Sequence, residues 1–196
     1  MSQLKEEEVI KQIIEAAKIV FKQYGYKKVT MNDISEAAKK GRSTLYHYFK
    51  NKKEVFEEVA IKENLLIVET GLKDVSRNNS LSVNLTNYHR SKLDQLVLTS
   101  KEYVRLFEDV RNNQELTIKV DRATLDLETK YTKEMLQWAI EKKEISSVDE
   151  DSLSFLSRAM VTAMSGLGRE MIFFGSIPDL GNRTEWLIEL MVKGLK

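Results

Sequence analysis

The sequence of 196 residues contains no cysteine and one proline, and it has no long apolar run. Without cysteine the chain forms no disulfide and no thiolate metal site, as is usual for proteins of a reducing compartment. No segment approaches the roughly 18 consecutive apolar residues of a membrane span. The first residues, MSQLKEEEVIKQ, lack the apolar core of a signal peptide. We therefore expect a cytoplasmic protein with no membrane partner.

Residues with catalytic or metal-binding chemistry are also scarce. His47 and His89 are the only histidines, and their spacing matches no metal motif. No Gly-x-Ser-x-Gly, phosphate-binding loop or dinucleotide fingerprint occurs, and the acidic pairs fall at predicted helix starts or on exposed faces. The sequence therefore predicts neither an enzyme nor a bound cofactor or metal.

A net charge of only +1 gives no sign of a polyanionic partner, but the charge is unevenly distributed. Residues 22–53 contain nine basic and two acidic residues, so this segment carries +7 and the rest of the chain about −6. A basic segment of this kind is compatible with a solvated surface and with a surface that binds a negative partner.

Helical periodicity extends along almost the whole chain, because apolar residues recur at spacings of three and four. Gly25 should end the first helix, over about residues 5–24. Short helices are predicted over 31–38 and 42–49, and a long one from 52 to about 75. Further helices are predicted over about 83–98 and from starts near 100, 113, 148 and 183. The predicted fold is all-α, with about nine helices. These starts rest on capping pairs: Thr30 with Asp33, Asn51 with Glu54, Thr99 with Glu102, Asn112 with Glu115, Ser147 with Glu150, and Asn182 with Glu185.

The two short helices are joined by a turn of the length found in a helix-turn-helix, whose second helix lies in the major groove of DNA. On this second helix Leu45 and Phe49 should face inward and four polar side chains outward. Arg42 can donate two hydrogen bonds to guanine, and the hydroxyl and imidazole groups can bind bases or phosphates. Helix starts at Thr30 and Lys52 favour phosphate. The outward residues are Arg42, Ser43, Tyr46 and His47.

Each of these residues also has a purely structural interpretation. A surface lysine is commonly only solvated, a threonine at a helix start is commonly only a cap, and Tyr48 and Phe49 suit a core. DNA binding is favoured because the turn, the polar outward face and the basic segment occupy the same thirty residues.

Residues 13–56 resemble the DNA-binding domain of the tetracycline-repressor (TetR) family. The resemblance rests on "AA…F…GY" from Ala16, on "TM.DI" from Thr30 and on "TLY.YF..K" from Thr44. It implies a helix-turn-helix domain over 1–50, followed over 51–196 by a helical effector-binding and dimerisation domain. It also implies a repressor that binds a palindromic operator as a dimer and is released by a small apolar or amphipathic ligand. The implied DNA contacts are Thr30, Arg42, Ser43, Thr44, Tyr46, His47, Tyr48 and Lys52.

The turn departs from the family pattern, which usually reads Gly-Val-Ser where this chain has Lys39, Lys40 and Gly41. Either Lys39 adopts the left-handed conformation, at a cost of about 1 kcal/mol, or Gly41 adopts it and the turn is reshaped. The two alternatives place Arg42 differently.

Bulky side chains in the middle of the chain allow two interpretations. At helical spacing they are commonly plain core, but with His89, Arg105 and Arg158 they could line an apolar cavity. The resemblance favours a ligand site; a protein partner in place of the small molecule is the alternative. The candidate ligand-binding residues are Tyr88, Tyr103, Phe107, Tyr131, Met135, Trp138, Phe155 and Met164.

The last two long helices are the predicted homodimer contact. The final helix is apolar on more than half of its circumference, which exceeds what one core-facing side needs. Small residues on the preceding helix (Ala159, Ala163, Gly166 and Gly168) would let a partner helix approach closely. The alternative is that both helices complete a monomer core. The apolar face predicted for the contact consists of Leu153, Leu156, Met160, Met164 or Ala163, Leu167, Met171 and Phe174.

Overall fold

The computed structural model describes residues 2–196. Within this range the chain forms nine α-helices and no strand, so the all-α prediction is confirmed. A π-helical turn, Glu170–Phe174, continues the eighth helix. The helices are α1 (Ser2–Tyr24), α2 (Met31–Ala37), α3 (Arg42–Tyr48), α4 (Lys52–Leu72), α5 (Leu81–Glu102), α6 (Val104–Arg111), α7 (Gln114–Glu141), α8 (Glu150–Arg169) and α9 (Leu180–Lys193).

Three predicted helix signals in the N-terminal region are confirmed, although α1 begins at Ser2 and not near residue 5, and α4 ends at Leu72 and not near residue 75. Gly25 follows α1 with a φ of 76°, a conformation that glycine adopts without steric cost. Thr30 and Asp33 form a reciprocal capping box at the start of α2. Asn51 caps α4, its Oδ1 accepting the Glu54 N–H at 3.1 Å.

Four predicted capping pairs in the second half of the chain are wrong. Thr99 lies buried inside α5, which continues to Glu102 as one helix. Asn113, one residue beyond the predicted Asn112, caps α7 by accepting the Leu116 N–H at 3.1 Å. Asp149 rather than Ser147 caps α8, because its carboxylate accepts the Ser152 N–H at 2.8 Å. The last helix begins at Leu180, ahead of the predicted Asn182.

The first of two compact units comprises the residues up to Asn64 together with Lys101–Val120. Its core joins the first four helices to α6 and the start of α7. This unit extends beyond residue 50, the boundary expected from the sequence, because apolar residues of α4, α6 and α7 belong to the same core. The residues that extend it are Val55, Phe56, Val59, Ala60, Tyr103, Leu106 and Leu116.

The second unit comprises Leu65–Ser100 and Asp121–Lys196. Gly71 of α4 lies against α5 so closely that a Cβ atom there would be 2.8 Å from the Tyr88 carbonyl oxygen. The main buried cluster of this unit consists of Leu81, Leu85, Met135, Leu136, Ala139, Ile145, Leu153, Met160, Ile188 and Val192.

Candidate nucleic-acid interface

Helices α2 and α3 are held together by buried apolar side chains and by a hydrogen-bonded turn. Ile34 of α2 and Leu45 of α3 are fully buried in the core of the first unit. The Ser35 hydroxyl donates to the Lys40 carbonyl oxygen at 2.7 Å, and the Lys40 N–H donates to the Ser35 carbonyl oxygen at 3.1 Å. The start of α3 therefore has a defined position relative to α2.

Within this turn, Lys39 adopts the left-handed conformation, with a φ of 52°. Gly41 has a φ of −65° and is the N-cap of α3. The first of the two turn geometries predicted from the sequence therefore occurs. Because a side chain at positive φ is strained by about 1 kcal/mol, the paired bonds of Ser35 help to hold this conformation.

The predicted division of α3 into two faces is confirmed. Leu45 and Phe49 are buried in the core of the first unit. The outward residues Arg42, Ser43, Tyr46 and His47 are exposed, and Thr44 and Tyr48 are half-buried beside them. The His47 and Tyr48 rings meet edge to face with centroids 4.8 Å apart. The exposed face of α3 thus presents hydrogen-bonding groups and no large apolar patch.

Arg42 is held by a side chain that the sequence did not single out. Its Nε and Nη2 atoms donate to Asn32 Oδ1 at 2.8 and 2.6 Å. The Asn32 Nδ2 atom in turn donates to Glu36 Oε1 at 2.7 Å. No local sequence pattern could identify this contact, because it joins side chains ten residues apart on two different helices.

Thr30 and Lys52, the two predicted phosphate ligands, occupy helix starts. Thr30 is exposed, and its N–H and Oγ1 both lie 2.7 Å from Asp33 Oδ2. These hydrogen bonds hold the pKa of Asp33 below its ordinary value. Lys52 is half-buried; its Nζ donates to the Tyr26 carbonyl oxygen at 2.7 Å and lies 4.4 Å from the Tyr26 ring centroid. Lys52 thus also has a structural partner.

Five lysines of the basic segment near this face are exposed: Lys27, Lys28, Lys39, Lys50 and Lys53. Lys53 also forms ion pairs at 3.1 Å with Glu115 and at 3.7 Å with Glu57. The hydrogen bond to Glu115 is the largest cause of its raised pKa.

The α6 helix supports the turn at Gly25 from inside the same unit. Asp109 Oδ2 accepts the Tyr26 N–H at 2.8 Å, and Arg105 donates to the Gln23 carbonyl oxygen. Arg105 and Asp109 are one helical turn apart, so both face the end of α1. A cleft of about 190 Å³ nearby is lined by Tyr26, Lys27, Lys53, Phe56, Glu57, Asp109, Asn112, Asn113 and Leu116.

The eight candidate ligand-binding residues are divided between the two units. Tyr103 and Phe107 belong to the core of the first unit. Of the six in the second unit, Tyr88, Met135 and Met164 are buried, Tyr131 and Trp138 half-buried, and Phe155 is 76% exposed. None of the eight lines the 190 Å³ cleft.

A buried polar cluster in the second unit surrounds Glu128. The Tyr88 hydroxyl donates to Glu128 Oε2 at 2.6 Å, Lys92 forms an ion pair with the same carboxylate, and Thr124 Oγ1 lies 3.2 Å from Oε1. Lys92 also lies 3.2 Å from Ser165 Oγ. Burial is the main cause of a raised pKa at Tyr88, so its phenol stays protonated and donates.

The α8 residues predicted to face a partner are divided between core and surface. Leu153 and Met160 are buried within their own unit, so the predicted stripe is wrong at these positions; of the alternatives Met164 and Ala163, Met164 is buried and Ala163 is exposed. The exposed face of α8 instead runs through Phe155, Ala159 and Ala163, at intervals of four residues. On α9, Trp186 and Leu190 are 56% and 47% exposed. Phe174, in the π-helical turn, is exposed as predicted.

In the part of the chain that the structure describes, no group of three or more histidine, aspartate or glutamate residues is arranged to hold a metal ion. No described helix is long and apolar enough to cross a membrane.

Comparisons with known proteins agree with this geometry. The family model for bacterial regulatory proteins of the tetR family matches residues 13–59. An uncharacterized HTH-type transcriptional regulator of Bacillus subtilis, YhgD, is 32% identical over 128 residues. The match covers 65% of this chain and 59% of YhgD, so the chain matches less than two thirds of that relative.

Two solved structures resemble the whole chain. A TetR-family transcriptional regulator from Pectobacterium atrosepticum has a TM-score of 0.72 at 16% identity, covering 100% of this chain and 97% of the other. RolR in complex with the ligand resorcinol has a TM-score of 0.67 at 15% identity, covering 100% and 90%. Because both identities are below 25%, these resemblances establish the fold and nothing further. Residues 13–59 of the chain thus carry the sequence pattern of the tetR-family model, and the whole chain has the fold of these two structures.

Proposed function

We propose that the protein is a DNA-binding transcriptional regulator that places α3 in the major groove of an operator. The observation that carries this proposal is the exposed polar face of α3, whose first residue is Arg42. Arginine can donate two hydrogen bonds to guanine, and the hydroxyl groups beside it can bind phosphates. Exposed lysines on both sides supply charge that attracts any DNA sequence.

The proposed active species is a homodimer that reads a palindromic operator. A single helix-turn-helix module contacts a small area of DNA, and two-fold symmetric proteins bind half-sites about 34–36 Å apart or multiples of this. The exposed stripes of α8 and α9 support this proposal. Ala159 and Ala163 would allow a close helix approach, while Phe155, Trp186 and Leu190 supply apolar area. An exposed apolar surface of this kind marks an interaction site.

The proposed signal is a small molecule that binds in the second unit and weakens DNA binding, which makes the protein a repressor. The cluster around Glu128 supports this proposal, because its carboxylate, phenol and ammonium groups are convergent polar groups of the kind that orient a ligand in an apolar site. The resorcinol-bound neighbour supports a phenolic or similarly amphipathic ligand. The second candidate is a protein effector, favoured by the exposed Phe155 and Trp186 if they do not lie in a dimer contact.

Continuous helices would transmit the signal. Residues of α4, α5 and α7 belong to both compact units, so a ligand that shifts one of these helices in the second unit acts on the first. The spacing of the two α3 helices would then no longer match the half-sites. Ligand and DNA would weaken each other's binding by the same factor.

Variants at two exposed basic residues test the assignment of α3. Arg42→Ala should weaken binding to the preferred DNA by about 1–3 kcal/mol and relax discrimination at one base position of each half-site. Lys50→Ala should weaken binding to all sequences alike and reduce the slope of affinity against salt by about 1. Fluorescence anisotropy with the preferred duplex and a scrambled duplex distinguishes the effects of the two variants. If Arg42→Ala bound both duplexes as the parent does, α3 would not be the base-reading element.

A further inference from the structure

We infer that Asn32 is a positioning residue that aims the guanidinium of Arg42 and so determines its preference for guanine. The inference rests on the proposed function, because it assigns a task within the DNA-reading surface. Asn32 lies in the first turn of α2, and the contact with Arg42 joins the two helices of the helix-turn-helix.

The hydrogen bonds leave one end of the guanidinium available. Asn32 Oδ1 accepts from Nε at 2.8 Å and from Nη2 at 2.6 Å, so it occupies the edge that these two nitrogens form. Arginine has five N–H groups, and the three remaining ones lie on Nη1 and Nη2. Nη1 and Nη2 form the second edge of the guanidinium. This edge also carries two parallel donors, which guanine O6 and N7 can accept.

Glu36 fixes which way the Asn32 amide points. An amide has an accepting oxygen and a donating nitrogen, and only the oxygen can bind a guanidinium. Asn32 Nδ2 donates to Glu36 Oε1 at 2.7 Å, which leaves Oδ1 directed at Arg42. Asn32 and Glu36 are four residues apart, hence adjacent on one face of α2. Ile34 and Ser35 of the same helix are buried, so α2 is anchored in the core of the first unit.

A guanidinium held in this way needs less ordering when it binds a base. Arginine has many rotamers, and fixing one of them costs part of the affinity that the contact yields. The held orientation also adds selectivity, because adenine presents an N6 donor where guanine presents O6. The preference for guanine should therefore depend on Asn32 as well as on Arg42.

A direct contact between Asn32 and phosphate is the competing role, and it predicts a different result. Phosphate contacts carry no sequence information, so their loss lowers affinity for every sequence alike. Loss of a positioning residue instead lowers the ratio of affinities for guanine and other bases at one position.

Four full-length variants separate the two roles. Asn32→Leu removes the acceptor at similar size, and Asn32→Asp keeps an accepting oxygen. Arg42→Ala removes the reading group, and Asn78→Leu is a matched control at an exposed asparagine of the second unit. DNA selected by the parent from a random pool supplies the preferred duplex. Duplexes with each base of one half-site replaced then report base preference by fluorescence anisotropy, and circular dichroism monitors the helical content.

We expect the parent to prefer guanine at one position by roughly 5- to 150-fold, the range of a bidentate contact. Arg42→Ala should abolish this preference, and Asn32→Leu should reduce it by about fivefold or more, with Asn78→Leu unchanged. Asn32→Asp should retain the preference while binding all sequences more weakly, because its negative charge opposes phosphate.

Equal weakening of all duplexes by Asn32→Leu, with the base preference retained, would overturn the positioning role while leaving the proposed function intact. A parent that prefers no base through Arg42 would overturn it as well. A parent that enriches no sequence from the pool would contradict the proposed function itself.

Discussion

His89 gives the protein a predictable loss of stability in mild acid. The side chain is buried in α5, and burial lowers the pKa of its imidazole to about 3, with a smaller contribution from the charge of Lys92. The folded state therefore keeps the imidazole neutral. The unfolded state takes up a proton as the pH falls below about 6.5, the ordinary pKa of histidine.

The sign and size of the effect follow from proton linkage. Because the pKa of His89 is lowered in the folded state, the stability that its neutral form contributes is fully present above about pH 6.5. This contribution is lost as the pH falls toward 3. Each pH unit within this window costs about 1.36 kcal/mol, so the free energy of unfolding should fall by about 2 kcal/mol between pH 7 and pH 5.

Urea unfolding followed by circular dichroism at pH 7 and pH 5 measures this loss, with protein concentration and ionic strength held constant. The His89→Gln variant is the control, because glutamine stays neutral throughout. The parent should lose about 2 kcal/mol more than the variant over this interval. Equal losses would mean that the folded state binds the proton as readily as the unfolded state, so that burial does not keep His89 neutral.

Three further pairs of substitutions test the local structure by the same unfolding measurement. Gly71→Ala should cost about 1–3 kcal/mol, because its Cβ would lie 2.8 Å from the Tyr88 carbonyl oxygen. Gly181→Ala, whose Cβ would have no neighbour closer than 3.9 Å, should cost nothing; equal losses would contradict the close contact. Thr30→Ala removes the hydroxyl that accepts the Asp33 N–H, while the bond from the Thr30 N–H to the Asp33 carboxylate remains; it should cost about 1 kcal/mol of stability, most of which Thr30→Ser should retain. Lys39→Val should cost about 1–2 kcal/mol and Lys39→Asn nearly nothing, because asparagine tolerates positive φ and a β-branched residue does not; equal stabilities would argue against a left-handed Lys39.

Features that depend on neighbouring residues were predictable from the sequence. The capping box at Thr30, the positive φ of Gly25 and the two faces of α3 each follow from a few adjacent side chains. The geometry at Lys39 was one of two predicted alternatives. The choice between them depends on Ser35, which bonds the turn through both its hydroxyl and its backbone.

Features that depend on packing between distant residues were not predictable. Tyr103 and Phe107 have the helical spacing of pocket-lining residues, yet they pack in the first unit. Thr99 and Glu102 were predicted to cap the start of a helix, but Thr99 is buried within α5, which continues to Glu102. Asn32 meets Arg42 only because the turn brings two helices together.

Selection of DNA from a random pool tests whether the parent protein recognises a specific operator. We expect enrichment of a palindrome whose half-sites lie about one helical turn apart, or a multiple of it, and contain a guanine whose loss weakens binding. We also expect affinity to fall steeply with salt, as for a surface with several exposed lysines. Recovery of a pool with no common sequence would mean that the protein is not a sequence-specific DNA-binding regulator.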